Sequence, residues 1–154
     1  MKKLPILLIL LLSSLLFQSE ITLRRSGETR QAPDTPGQNP NGSSELAKLM
    51  RQMQQYTKDA RKAVLKKGAP AAYPTAFDAI HTAKITPGTH KNEYYDSFAD
   101  IYITGVKNYA AAPASDPDRI ATYNNMVSGC IACHSQHCPG PVPMIRKLMI
   151  PTDN

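Results

Sequence analysis

The stretch Cys130-Ile131-Ala132-Cys133-His134 (C-x-x-C-H) lies near the end of the chain and decides how the fold is interpreted. Two thiols at this spacing on a helical turn can each add to a vinyl group of one porphyrin. The imidazole that follows then projects at the porphyrin iron from the same side. Because this is the attachment pattern of c-type haem, the motif predicts one covalently bound haem c with His134 as an iron ligand.

Two other chemistries use similar residues. Cys130, Cys133, His134 or His137, and Cys138 could form a Cys₃His zinc site, although they are grouped more closely than the usual paired knuckles. A C-x-x-C pair also occurs in thioredoxin-type proteins, but there it needs a surrounding βαβ pattern, and the sequence has no strand pattern of any length. If there is no zinc site, Cys138 is expected to be a buried small apolar residue. The alternative is that Cys138 has a free thiol that can cross-link two chains.

Composition narrows the class of protein further. The chain has 154 residues and 3 cysteines, and the cysteines all fall within Cys130–Cys138, which excludes a disulfide scaffold. The net charge is +6, but basic residues interleaved with aromatic ones are missing, so a nucleic-acid partner is not expected. The basic residues of the first helix predict a solvated face, or a docking face for an acidic redox partner; they are Lys48, Arg51, Lys58, Arg61, Lys62, Lys66 and Lys67.

Residues 1–23 have the pattern of an export signal. Lys2 and Lys3 precede the apolar run Leu4–Phe17, which as a helix spans about 21 Å against roughly 30 Å of hydrocarbon core. An uncleaved anchor is the alternative, because no clean cleavage site follows. The sequence thus predicts a periplasmic protein, either soluble or tethered to the inner membrane through residues 4–23. Haem is joined to C-x-x-C-H outside the bacterial cytoplasm, so signal and motif agree.

Residues 24–43 are rich in proline, glycine and polar side chains and predict a disordered linker. The remaining residues, 44–154, are expected to form the folded domain. Its first helix should begin at Ser43 or Ser44, either of which can cap it, and should end at Gly68. The apolar residues of this helix follow the i, i+3, i+4, i+7 spacing; they are Leu46, Leu49, Met50, Met53, Ala60 and Val64.

Three more helices are predicted after the first. A short second helix begins at about Pro74 and buries Phe77 and Ile80. A third runs from about Asn92 to Ala111, with Tyr95, Phe98, Tyr102 and Tyr109 on one side, and a fourth begins at Asp116-Pro117, carries Ile120, Tyr123, Val127, Cys130, Ile131 and His134 on its apolar line, and ends before Pro139. This order predicts an all-α fold, an antiparallel four-helix bundle with the haem attached to the last helix.

With this helix order and C-I-A-C-H on the last helix, residues 44–138 resemble the cytochrome c-prime family. In low-spin members of that family, the first helix supplies a methionine from a short K-L-M-type stretch. Lys48-Leu49-Met50 matches that stretch, so the resemblance implies Met50 as the distal iron ligand. Met53 and His81 are the alternatives at this position. Bundles of this family often pair through their first helices, which implies a homodimer, although the basic face could oppose pairing.

The sixth ligand of the iron determines the expected function. Ligation by histidine and methionine closes the iron to small ligands and raises its reduction potential, which favours single-electron transfer to redox partner proteins. The alternative is a five-coordinate haem protein of the c-prime type that binds NO or CO. No clustered carboxylates, glycine-rich phosphate loop or nucleophile elbow occurs in the sequence, so an electron carrier rather than an enzyme is expected.

Overall fold

The structure is a computed structural model, and it describes residues 43–152. The predicted signal or anchor in residues 1–23 and all of the predicted linker except Ser43 lie outside this range. Residues 43–152 contain helices and no strand, which confirms the all-α prediction; the helices are α1 (Glu45–Leu65), a 3-10 helix (Thr75–His81), α2 (Tyr95–Ala111), α3 (Arg119–His137) and α4 (Val142–Arg146). Within the same range, none of the helices is both long enough and apolar enough to cross a membrane.

Helix α1 begins where the capping residues predict. The Ser44 hydroxyl accepts a hydrogen bond from the Ala47 N–H at 3.1 Å, which satisfies one of the free donors at the helix N-terminus. The Glu45 carboxylate accepts a second bond from the backbone N–H of Lys84 at 3.0 Å. The buried face follows the predicted apolar spacing and consists of Leu49, Met53, Thr57, Ala60 and Val64.

The second helix is a 3-10 helix of 7 residues, Thr75–His81, rather than an α-helix. Phe77 and Ile80 are buried as predicted. Side chains three residues apart lie above one another in a 3-10 helix, so this short segment buries both of its large apolar residues on one side. The spacing of Phe77 and Ile80 fits either kind of helix, which explains why the sequence alone did not distinguish them.

Helices α2 and α3 run antiparallel and approach closely at two glycines. A Cβ atom added to Gly105 would lie 3.0 Å from the Met126 Cα, and one added to Gly129 would lie 3.2 Å from the Tyr102 Cα. Moving forward along α2 from Tyr102 to Gly105 therefore corresponds to moving backward along α3 from Gly129 to Met126. The absence of side chains at these positions lets the two backbones come together directly beside Cys130.

This close approach makes Gly105 sensitive to substitution. We expect Gly105→Val to lower the free energy of unfolding by about 2–3 kcal/mol, because the new side chain must displace the Met126 backbone. Valine and glycine both have low helix propensity, so the loss reports mainly packing. Gly140→Val is the matched control, since nothing lies within 4 Å of a Cβ at that position. Denaturant unfolding of both variants tests this, and equal stabilities would contradict it.

Helix α1 packs on α3 through a buried tyrosine. The Tyr123 hydroxyl lies 3.4 Å from the Thr57 carbonyl oxygen and donates to the Leu148 carbonyl oxygen at 2.9 Å. About one turn before Thr57 on α1, the Gln54 amide donates to the Met144 sulfur at 3.2 Å. Going backward from Thr57 to Gln54 on α1 thus leads toward the segment that follows the C-terminal end of α3. The N-terminal half of α1 therefore lies beside the C-terminal half of α3, and the two helices run antiparallel.

Removal of the Tyr123 hydroxyl should destabilise the fold. Tyr123 is 0% exposed, so Tyr123→Phe leaves the carbonyl oxygen of Leu148 without its donor and should lower the free energy of unfolding by about 1–2 kcal/mol. Tyr94→Phe is a suitable control because Tyr94 is 59% exposed. Thermal or denaturant unfolding would measure the difference, and a Tyr123→Phe variant as stable as the control would show that these bonds contribute nothing.

The buried face of α3 differs from the predicted apolar line at its beginning. Ile120, predicted to face the core, is 38% exposed, whereas Arg119 and Met126 are buried. The Arg119 guanidinium carbon lies 5.9 Å from the centre of the Tyr109 ring. Asp116 does not cap the helix directly; its carboxylate accepts from the Asp118 N–H at 2.8 Å in the turn before α3. The helix consequently begins later than predicted, at Arg119.

The chain after α3 turns back along that helix. Ile145 and Ile150 are buried and Leu148 packs partly against the core. Asn124 holds this returning segment by donating to the Ile150 carbonyl oxygen at 2.8 Å and accepting from the Ile150 N–H at 3.0 Å. Met144, by contrast, is 51% exposed.

Candidate haem site

Cys130 and Cys133 lie three residues apart, on consecutive turns of α3, and carry free thiols. Cys130 is half-buried against the core and Cys133 is buried. Burial, together with the neighbouring cysteine, raises the pKa of Cys130 to about 12. Burial and the nearby Cys138 raise the pKa of Cys133 to about 11. Both sulfurs are therefore protonated thiols at neutral pH, free to be joined to another group.

These raised pKa values bear on the thioredoxin-type alternative. A dithiol redox pair reacts through a thiolate, which is made available by a lowered pKa, commonly at a helix N-terminus. Cys130 and Cys133 instead belong to the last turns of α3, where the negative end of the helix dipole opposes a thiolate. The electrostatics of this site thus disfavour disulfide exchange.

His134 lies one residue beyond Cys133 and is half-buried. Its Nδ1 atom lies 3.3 Å from the backbone oxygen of Cys138 and 3.2 Å from the Cys138 sulfur. When Nδ1 carries the proton, it donates to these acceptors and the lone pair resides on Nε2. This is the tautomer in which Nε2 can bind a metal, and a carbonyl on the other nitrogen is the usual way to hold it.

Pro139 explains why the chain turns at Cys138, next to the His134 ring. A residue before proline is disfavoured in the helical region and moves to extended backbone, and Cys138 has φ −157° and ψ 82°. The Cys138 N–H still bonds to the His134 carbonyl oxygen at 3.0 Å, so the helix ends here while the chain folds back over its last turn. The carbonyl and the thiol of Cys138 are thereby brought to the His134 ring.

Burial also favours the metal-binding form of His134. Desolvation lowers the pKa of its imidazole, and the neighbouring His137 acts in the same direction, while the hydrogen bond to the Cys138 carbonyl opposes them. The neutral ring is therefore the favoured form at neutral pH, and a neutral imidazole is the form that ligates iron.

Met50 lies on the half of α1 that is beside the cysteine motif of α3. Thr57 and Tyr123 mark where α1 crosses α3; Met50 lies two turns back along α1 and Cys130 two turns forward along α3, each about 10.5 Å from that crossing. Because the helices are antiparallel, both displacements have the same direction. Met50 and Cys130 are each half-buried against the same core cluster.

The two alternatives to Met50 as the distal ligand, Met53 and His81, have different surroundings. Met53 is 4% exposed and packs within the core cluster. His81 lies between two carboxylates: its Nδ1 is 2.9 Å from the Asp96 carboxylate and its Nε2 is 3.3 Å from the Asp100 carboxylate. With both ring nitrogens occupied by the N-terminal half of α2, His81 has no nitrogen left for iron, which disfavours it as a ligand.

The remaining histidine of the motif region, His137, has its ring packed edge-on against Tyr95 and Phe98, with ring centres 5.3 and 6.0 Å apart. Its Nε2 atom is buried and has no hydrogen-bond partner among the described residues.

The ligands of the alternative zinc site are not assembled: within residues 43–152, no three His, Cys, Asp or Glu side chains are grouped closely enough to hold a metal ion.

The residues present fit a haem by the chemistry of their donors. A haem iron is already bound by four porphyrin nitrogens, so the protein has to provide only one or two ligands. The two free thiols and the Nε2 atom of a neutral, oriented His134 are the groups required for attachment and proximal ligation. Cys130, Cys133 and His134 would hold the group on α3, and Met50 would face it from α1.

The expectation that Cys138 is buried was wrong, because this residue is exposed, and its contact with the His134 ring was not predicted from the sequence. The Cys138-Pro139 pair was the available signal, because a proline after the last helical residue forces the chain to fold back.

Comparisons of the chain with protein-family models, curated proteins and solved structures find no match.

Proposed function

We propose that this protein is an exported mono-haem c-type cytochrome that carries single electrons. The observation that best supports this proposal is the geometry of His134: its Nδ1 is engaged by Cys138 at 3.2 and 3.3 Å, which leaves Nε2 as the nitrogen for a metal. The cysteines of the motif, Cys130 and Cys133, carry free thiols on the same helix. When bound, the haem supplies the Fe(III)/Fe(II) couple, which accepts and returns one electron. The chain's own residues attach the group, orient the axial imidazole and exclude water.

The proposed architecture is a bundle of the cytochrome c-prime type. In it, α1, α2 and α3 are the long helices, and the 3-10 helix Thr75–His81 occupies the position of the second helix. The antiparallel packing of α3 against both α1 and α2 supports this arrangement. A haem on Cys130 and Cys133 would then be enclosed between α3 and the N-terminal half of α1.

Met50 is the proposed distal ligand. Its support is its level in the bundle, opposite Cys130 on an antiparallel helix, and its half-buried position, which leaves the side chain free to turn toward the haem. A thioether is a soft ligand that raises the potential of haem iron when paired with histidine. An iron with both axial positions filled has no vacancy for NO or CO, which favours electron transfer over ligand binding.

Redox partner proteins would exchange these electrons outside the cytoplasm, in agreement with the export signal predicted for residues 1–23. The exposed lysines of α1 support an encounter with an acidic partner, because charge raises association rates over distances of about a Debye length. Lys62 is already paired with Asp59 at 2.8 Å, whereas Lys48 on α1 and Lys66 and Lys67, directly after its end, are exposed.

An optical spectrum tests the function. The full chain is produced with its signal in a bacterium that attaches haem c, purified, and recorded oxidised, reduced, and reduced with CO. The proposal predicts a low-spin spectrum with a sharp α-band when reduced, a near-infrared methionine–iron band when oxidised, and no change with CO. A high-spin spectrum that changes with CO would instead support the five-coordinate NO- or CO-binding protein, and zinc without haem would reject both.

A further inference from the structure

Cys138 provides a contact to the axial histidine that the attachment motif does not require. Its sulfur lies 3.2 Å from His134 Nδ1, and its carbonyl oxygen lies 3.3 Å from the same atom. Nδ1 carries a single proton when Nε2 binds iron, so the two acceptors share one N–H. The backbone oxygen would be present with any residue at this position, whereas the sulfur is specific to cysteine.

We propose that the Cys138 thiol is a positioning residue for His134 that tunes the electron density of the iron ligand. This inference rests on the proposed haem function. An acceptor on the outer nitrogen of a ligating histidine raises the basicity of the ring and fixes its orientation. Greater electron donation stabilises Fe(III) relative to Fe(II). The sulfur therefore biases the centre toward its oxidised state and holds the ring plane against rotation about the iron–nitrogen bond.

The position of Cys138 suits this role for two reasons. Its backbone is anchored at both sides, by the bond from its N–H to the His134 carbonyl oxygen at 3.0 Å and by the conformational restriction from Pro139. The residue is exposed, so its side chain can be changed without opening a cavity in the core. A substitution here consequently reports the contact to His134 rather than a loss of packing.

The test compares the haem-loaded full chain with its Cys138→Ala, Cys138→Ser and Ser135→Ala variants. Ser135 is the matched control: it is exposed on the same turn, and its hydroxyl bonds to the Ile131 carbonyl oxygen at 2.7 Å rather than to His134. The measurements are the midpoint potential and, in the ferrous state, the iron–histidine vibrational frequency after Met50→Ala has opened the distal position. Neither measurement depends on activity with a redox partner.

We expect Cys138→Ala to raise the ratio of reduced to oxidised protein, at a fixed applied potential, by about threefold to tenfold. The expected change is at or below the smallest effects that usually follow when a metal ligand loses its hydrogen-bond partner, because thiol sulfur is a weak acceptor. The iron–histidine frequency should fall in the same variant. Cys138→Ser, which keeps a hydroxyl acceptor, should restore part of both effects, and Ser135→Ala should match the parent protein.

Three results would overturn the inference, and they distinguish its failure from the failure of the proposed function. If haem is attached and Cys138→Ala has the potential and frequency of the parent, the thiol does not act on His134, while the proposed function stands. The same conclusion follows if Ser135→Ala shifts both measurements as much as Cys138→Ala. If no haem is attached to the parent chain, the proposed function fails, and the inference fails with it.

Discussion

Met50→Ala is expected to convert a low-spin iron centre into a high-spin one. Removal of the thioether leaves His134 as the only axial ligand from the protein, so the near-infrared methionine–iron band should disappear completely and the reduced protein should bind CO. The midpoint potential should fall, because methionine ligation raises it. Optical spectra of the oxidised, reduced and CO-treated variant measure all three changes.

Two matched variants make this result specific to Met50. Met53→Leu keeps an apolar side chain of similar size at a core position that is 4% exposed, so its spectrum should stay low-spin. His81→Ala removes the imidazole that is held by Asp96 and Asp100, and its spectrum should also be unchanged. If Met50→Ala stayed low-spin and Met53→Leu lost the near-infrared band, Met53 would be the distal ligand. If Met50→Ala stayed low-spin and His81→Ala lost the low-spin state, the ligand would be His81.

The second large effect is expected from the Cys130→Ala, Cys133→Ala double variant. With neither thioether formed, any haem bound through His134 is held without a covalent bond and should be removed almost completely by acidified organic solvent. The parent chain should retain its haem under the same treatment. Haem absorption in the protein fraction before and after extraction measures the difference.

Single variants provide the internal controls for this experiment. Cys130→Ala and Cys133→Ala should each keep one thioether and so retain the haem with an altered spectrum. Cys138→Ala should retain both thioethers, since this residue lies outside the attachment spacing. If Cys138→Ala released haem as fully as the double variant, the assignment of the attachment residues would be wrong.

The sequence predicted the parts of the fold that are governed by short-range periodicity. The apolar spacing along α1 identified Leu49, Met53, Ala60 and Val64 as core residues, because a helix buries one side of a regular repeat. The same logic failed at the beginning of α3, where Ile120 is exposed. There the turn at Asp116 delays the helix, and the contact between Arg119 and the Tyr109 ring replaces the expected apolar contact.

Features that depend on contacts between distant segments were not predictable from the sequence. The close approach of α2 and α3 at Gly105 and Gly129 requires knowing which residues face one another, since a glycine within a helix otherwise only weakens it. The candidate site divides in the same way. Cys130, Cys133 and His134 follow from their spacing, whereas the contact of Cys138 with the His134 ring follows from how the chain turns after α3.

The proposed function requires a haem joined to Cys130 and Cys133, and the mass of the peptide that contains these residues in the matured protein shows whether it is attached. The protein is extracted with acidified organic solvent to remove non-covalent haem, digested with protease, and its peptides are weighed. The peptide that contains Cys130–His134 should carry the mass of one haem joined through both thiols. Recovery of that peptide from a haem-competent host with both thiols free would show that this protein is not a c-type cytochrome.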